Sequence, residues 1–113
     1  MANILHLLAT TITLLIGLWS IAQPESMAKT MGFSLHGRRG RAEFRIGLGG
    51  CFVGLTAYAL YLRSADVFAA IAALWLGAAA VRVLALALDR PPFNVSYVVV
   101  LLFELAMGWL LLA

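Results

Sequence analysis

Four ionisable residues lie inside or at the edges of long apolar runs: Glu43, Arg82, Asp89 and Glu104. A charged side chain at the centre of a bilayer costs roughly 2.5–3.5 kcal/mol on insertion scales, so each needs a partner or a task. Arginine and carboxylates can neutralise one another, hold an anion, or pass a proton as general acid and base. Arg82 lies about two helical turns before the end of one apolar run, and Glu104 about three turns into the next. Antiparallel neighbours bring the two to similar depth, so an Arg82–Glu104 ion pair is expected. Glu43 heads a series at helical spacing, Gly47, Gly50, Gly54, Ala57 and Tyr61, which includes a GxxxG match at Gly50–Gly54. Such small-residue faces let helix backbones approach closely in lipid. Glu43 is therefore expected to point inward and Arg45 to reach for headgroups. Arg82 shares a face with Ala78, Ala79, Ala85 and Asp89, which makes Glu43, Arg82, Asp89 and Glu104 one expected polar cluster. Two readings of it stay open: a clamp that fixes helix register, or a ligand- or proton-handling site.

Other chemistry is poorly supplied. Cys51 is the single cysteine, which removes an internal disulfide and any multi-cysteine metal site. His6 and His36 are too few and too far apart for a metal or haem cage, so no metal and no cofactor is expected. His6 reads as an interfacial polar residue near the outer end of the first apolar run. The glycines at 47, 49 and 50 do not follow a strand, which removes a dinucleotide loop. Gly37-Arg38-Arg39-Gly40-Arg41 is short and lacks interleaved aromatics, so nucleic acid is not an expected partner. Arg38, Arg39, Arg41 and Arg45 are better matched to anionic lipid headgroups, at about 1 kcal/mol per basic residue.

The elements that must position these groups follow from composition. Of 113 residues, 64% are apolar and only 12% charged, about half the charge a soluble domain carries. A free-standing soluble enzyme, a disordered tail and a disulfide scaffold are thereby disfavoured. Crossing a bilayer core of about 30 Å takes about 20 apolar residues, and four stretches qualify: about 4–22, 43–62, 67–88 and 95–113. Pro24 stops the first, and Asp89-Arg90-Pro91-Pro92 stops the third. Ser64 or Asp66 is expected to cap the third helix, and Asn94 or Ser96 the fourth. Residues 25–35 are a candidate short interfacial helix, with Met27, Met31 and Leu35 on one face. Trp75 is too deep for an interfacial belt and is expected to pack between helices. Ser20-Ile21-Ala22 resembles a cleavage site, but no Lys or Arg precedes the apolar run, so the first helix is expected to be retained. The expected fold is all-α: a single integral membrane domain, a four-helix up-down-up-down bundle.

Basic residues orient it. Lys29, Arg38, Arg39, Arg41, Arg45 and Arg90 flank one side, and Arg63 alone the other. The positive-inside rule then places both termini outside the cytoplasm.

The run Gly40-Arg41-Ala42-Glu43-Phe44-Arg45, followed by Gly49-Gly50, Arg82, Asp89-Arg90-Pro91-Pro92 and Glu104, resembles a family of small bacterial four-helix membrane proteins. That family is known only as a domain of unknown function. The sequence is also broadly similar to DoxX-like four-helix membrane proteins. The resemblance implies a four-helix bundle in a bacterial cytoplasmic membrane; it implies no substrate or reaction.

With nearly all of the chain in apolar helices, the expected role is a non-catalytic accessory or scaffold subunit of a larger membrane complex, an energy-transducing complex being one such host. Its expected partners are membrane lipids and either other subunits or further copies of itself. The alternative is a small-molecule, lipid or quinone binding or transport protein using the buried Glu/Arg cluster. A weaker alternative is a membrane enzyme on a lipid-like substrate, with Glu104 or Glu43 as acid or base and Arg82 holding an anion.

Overall fold

The computed structural model describes residues 2–113 and is all-helical, with no strand among the described residues. Helix α1 spans Ile4–Ala22, α2 Pro24–Thr30, α3 Gly37–Phe44, α4 Cys51–Leu62, α5 Ala65–Leu88 and α6 Val95–Leu112. Residues Arg45–Gly50 join α3 to α4 as one turn of π-helix, so Gly37–Leu62 is a continuous 26-residue helix. By length and composition, this helix, α1, α5 and α6 are each long and apolar enough to cross a membrane. Arg38, Arg39 and Arg41 thus ride on α3.

Local chemistry explains the helix ends. Pro24 occupies the first position of α2, where its missing N–H costs nothing. α2 ends after Thr30, because Gly32 takes a left-handed φ of 87° and Phe33 N–H returns to the Ala28 carbonyl. The short helix therefore exists but stops before Leu35; Met27 is buried and Met31 is not. Of the alternatives for the later caps, Ser64 and Asn94 take the role. The Ser64 hydroxyl accepts from Val67 N–H at 3.2 Å, and Asn94 Oδ1 accepts from Tyr97 N–H at 3.0 Å.

Packing divides the chain into two compact units. One comprises residues 2–9 with Arg63–Ala113; the other is Thr10–Leu62. In the first, α5 and α6 run antiparallel, since residues later in α5 meet residues earlier in α6. Trp75 is buried and meets Phe103 edge to face at 5.5 Å, and Leu76 sits directly on Gly108. A side chain at position 108 would overlap Leu76, so glycine is what permits this approach.

In the second unit, α1 crosses the π-helical turn and the start of α4. A Cβ on Gly17 would lie 2.9 Å from Phe52 Cβ and 3.2 Å from the Gly49 carbonyl oxygen. Gly49 in turn is covered by Ile21. The close approach thus uses Gly17 and Gly49, whereas a Cβ on Gly47 or Gly54 would meet nothing within 4 Å. This corrects the expected packing face. The π turn inserts one extra residue, so the buried positions run Phe44, Gly49, Thr56, Ala59, with a first step of five. Reading at uninterrupted 3.6-residue spacing selects the wrong face beyond it.

Candidate functional site: the Arg82–Glu104 pair and the basic α2–α3 segment

Glu104 lies nine residues into α6, about 13 Å along it, and Arg82 six residues before the end of α5, about 9 Å from that end. The long arginine side chain spans the difference. Arg82 Nε donates to Glu104 Oε1 at 2.7 Å and Arg82 Nη2 to Oε2 at 2.9 Å, a bidentate fork. The Glu104 side chain is 5% exposed and that of Arg82 24%. Both carboxylate oxygens are therefore occupied by the guanidinium.

Tyr97 completes the arrangement. Its hydroxyl donates to the Arg82 backbone carbonyl, and the guanidinium carbon lies 5.4 Å from its ring centroid. Its place beside Arg82 was signalled by its position seven residues before Glu104, two turns along the same face of α6.

The other expected members are Glu43, which belongs to the second unit, and Asp89, which belongs to the first. Glu43 is exposed rather than inward, and its Oε2 accepts from Arg39 Nε at 2.9 Å on its own helix. Phe44, one residue on, takes the buried position against Met27 and Ala28. Asp89 lies exposed at the end of α5, with no ion pair among the described residues. Arg38, Arg39 and Arg45 are exposed, and Arg41 is half-buried, donating to Glu25 at 3.0 Å to tie α3 to α2.

His6, in the first turn of α1, is enclosed by other side chains. It is buried, its ring lies 4.9 Å from that of Phe68 at a 31° tilt, and neither ring nitrogen has a hydrogen-bond partner among the described residues. The buried polar seam further along α1, Thr10, Thr13, Gly17 and Ser20, escaped sequence reasoning as well. Its signal is the recurrence of small or hydroxyl residues every three to four positions, a common interface pattern in membrane helices. Ser20 meets its own need by donating to the Ile16 carbonyl at 2.8 Å.

No cluster of three or more His, Cys, Asp or Glu side chains suited to a metal ion occurs among the described residues. Residues 1–113 match the family described as a domain of unknown function, DUF4345. The chain belongs to this family. No curated protein and no solved structure matches it. The Arg82–Glu104–Tyr97 arrangement can lock α5 to α6 at one register, and the α2–α3 segment concentrates cations.

Proposed function

We propose that this chain is a non-catalytic accessory or scaffold subunit of a larger membrane protein complex, embedded in a bacterial cytoplasmic membrane as four up-and-down spans. The observation that carries this reading is the bidentate Arg82–Glu104 pair. The Glu104 carboxylate accepts from one guanidinium through both oxygens and is 5% exposed, so its charge is already neutralised and shielded, and the pair fixes the register of two helices. Around it the helix surfaces are apolar and open: Val81, Leu84, Val99 and Leu102 are each more than half exposed. Contiguous surfaces of this kind call for lipid or partner helices.

In the proposed orientation both termini lie outside the cytoplasm, supported by the bias of basic residues toward the 23–45 segment and the 89–94 turn. An energy-transducing assembly is one class of host with room for such a subunit. The likeness to DoxX-like proteins concerns architecture. A carrier or enzyme built on Glu43, Arg82, Asp89 and Glu104 is less well supported, because Glu43 is engaged by Arg39 and Asp89 is exposed.

Purification at native abundance in mild detergent tests the reading. The expected result is a stoichiometric protein partner that co-migrates through size exclusion. A partner-free protein that carries a bound small molecule would overturn it in favour of the carrier.

A further inference from the structure

The chain's formal charge of +3 is located entirely between residues 25 and 45. Lys29, Arg38, Arg39, Arg41 and Arg45 face only Glu25 and Glu43 there, whereas Arg63, Arg82 and Arg90 are balanced by Asp66, Asp89 and Glu104. Both acids in the segment are already engaged, Glu25 by Arg41 and Glu43 by Arg39. Lys29, Arg38 and Arg45 are left with no ion pair among the described residues.

Within the same unit, two hollows share the wall Phe33-Ser34-Leu35. One is an open apolar groove of about 420 Å³ whose sides are Phe33, Leu35, Phe44 and Leu48, with Gly47 leaving room between them. Glu43 lies at its edge, held by Arg39. The other is a more polar hollow of about 560 Å³ that contains Lys29, Ser26 and Ser34, with Glu25 turned to Arg41. An apolar slot and a hydroxyl-bearing hollow with Lys29, adjacent across the shared Phe33-Ser34-Leu35 wall, together have the two-part chemistry of one amphiphile.

We propose that this groove binds a single anionic phospholipid, an acyl chain lying over Gly47 and the phosphate held at Lys29 with the Ser26 and Ser34 hydroxyls. Charge complementarity selects the headgroup: an excess of unpaired cations favours a net-negative lipid over a zwitterionic one. The apolar slot selects a lipid over a free anion. The inference rests on the membrane-embedded reading above and goes beyond the scaffold role.

Native mass spectrometry of the full chain in mild detergent, titrated with phosphatidylglycerol or phosphatidylcholine of matched chains, tests it. Phosphatidylglycerol should bind as one adduct, at least about fivefold tighter than phosphatidylcholine. Lys29→Gln should bring the two lipids to within about twofold. Gly47→Leu, at a position where a Cβ meets nothing within 4 Å, should fill the slot and, by displacing two or more acyl methylenes, weaken both lipids at least about fivefold with the helical circular dichroism unchanged. Gly77→Leu, equally open but on α5, should change neither.

Equal affinity of the native chain for the two lipids, or a folded Gly47→Leu that binds as before, would overturn the site. So would displacement of phosphatidylglycerol by an equal concentration of inorganic phosphate. Alkaline carbonate extraction of cell membranes separates the two levels. Retention of the chain in the pellet alongside failed lipid selectivity removes the site alone, and release into the supernatant removes the membrane reading with it.

Discussion

Glu104 occupies a setting in which an unpaired carboxylate is not tolerated, and its partner Arg82 is bound through both oxygens. Removing one member of such a buried pair commonly costs about 3–5 kcal/mol, whereas replacing both by apolar residues is often near neutral. Arg82→Leu or Glu104→Leu alone is therefore expected to lower thermal stability in detergent, and the double change to recover a large part of the loss. Strictly additive losses in a double-mutant cycle would rule out the coupling. Tyr97→Phe keeps the ring beside the guanidinium and removes only the hydroxyl bonded to the Arg82 carbonyl. It should cost about 1 kcal/mol, clearly less than either single charge removal. A Tyr97→Phe loss as large as that of Arg82→Leu would mean that the hydroxyl, not the ion pair, holds the two helices.

At the scale of elements, the π-helical turn at Arg45–Gly50 decides which glycines matter. Three of its six residues are glycine, each about 1 kcal/mol less favourable than alanine in an α-helix, which lowers the cost of leaving α geometry. With one residue inserted, Gly49 turns toward Gly17, and Gly47 and Gly54 turn away from any neighbour. Gly17→Leu and Gly49→Leu should each destabilise the chain by about 1–3 kcal/mol through overpacking. Gly54→Ala should be neutral or stabilising by up to about 1 kcal/mol, since it adds helix propensity in open space. Melting curves of the three variants check this. The reverse ranking would restore the uninterrupted α-helical face with Gly50 and Gly54 at the interface.

For the whole molecule, the governing quantity is the placement of charge along the chain. Arg38, Arg39, Arg41 and Arg45 lie within one stretch of eight residues, and the remaining basic residues are few and scattered. If the positive-inside rule orients the chain, a reporter fused after Ala113 will be active only on the extracytoplasmic side. Changing those four arginines together to Gln should then yield a mixed population with reporter signal on both sides. Cytoplasmic activity of the unaltered fusion would reject the orientation.

The residue order alone was enough to determine the all-helical character and the four long apolar helices, because both depend on local composition and on where Pro24, Pro91 and Pro92 interrupt it. The choice of Arg82 and Glu104 as partners was legible for a related reason: two isolated charges on consecutive helices at similar depth leave few other arrangements. Glu43 shows where that reasoning ends. Its face was inferred by carrying one helical period through Gly47, Gly50 and Gly54, yet Phe44 is the residue buried against Met27 and Ala28. Glu43 precedes the π turn, so the series starts one residue off the buried face, and the turn at Arg45–Gly50 then shifts the later positions. The same limit holds for the burial of His6 beside Phe68 and for the bond from the Tyr97 hydroxyl to the Arg82 carbonyl. Each depends on contacts between residues distant in sequence, and only the folded packing decides which of several locally equivalent faces is enclosed.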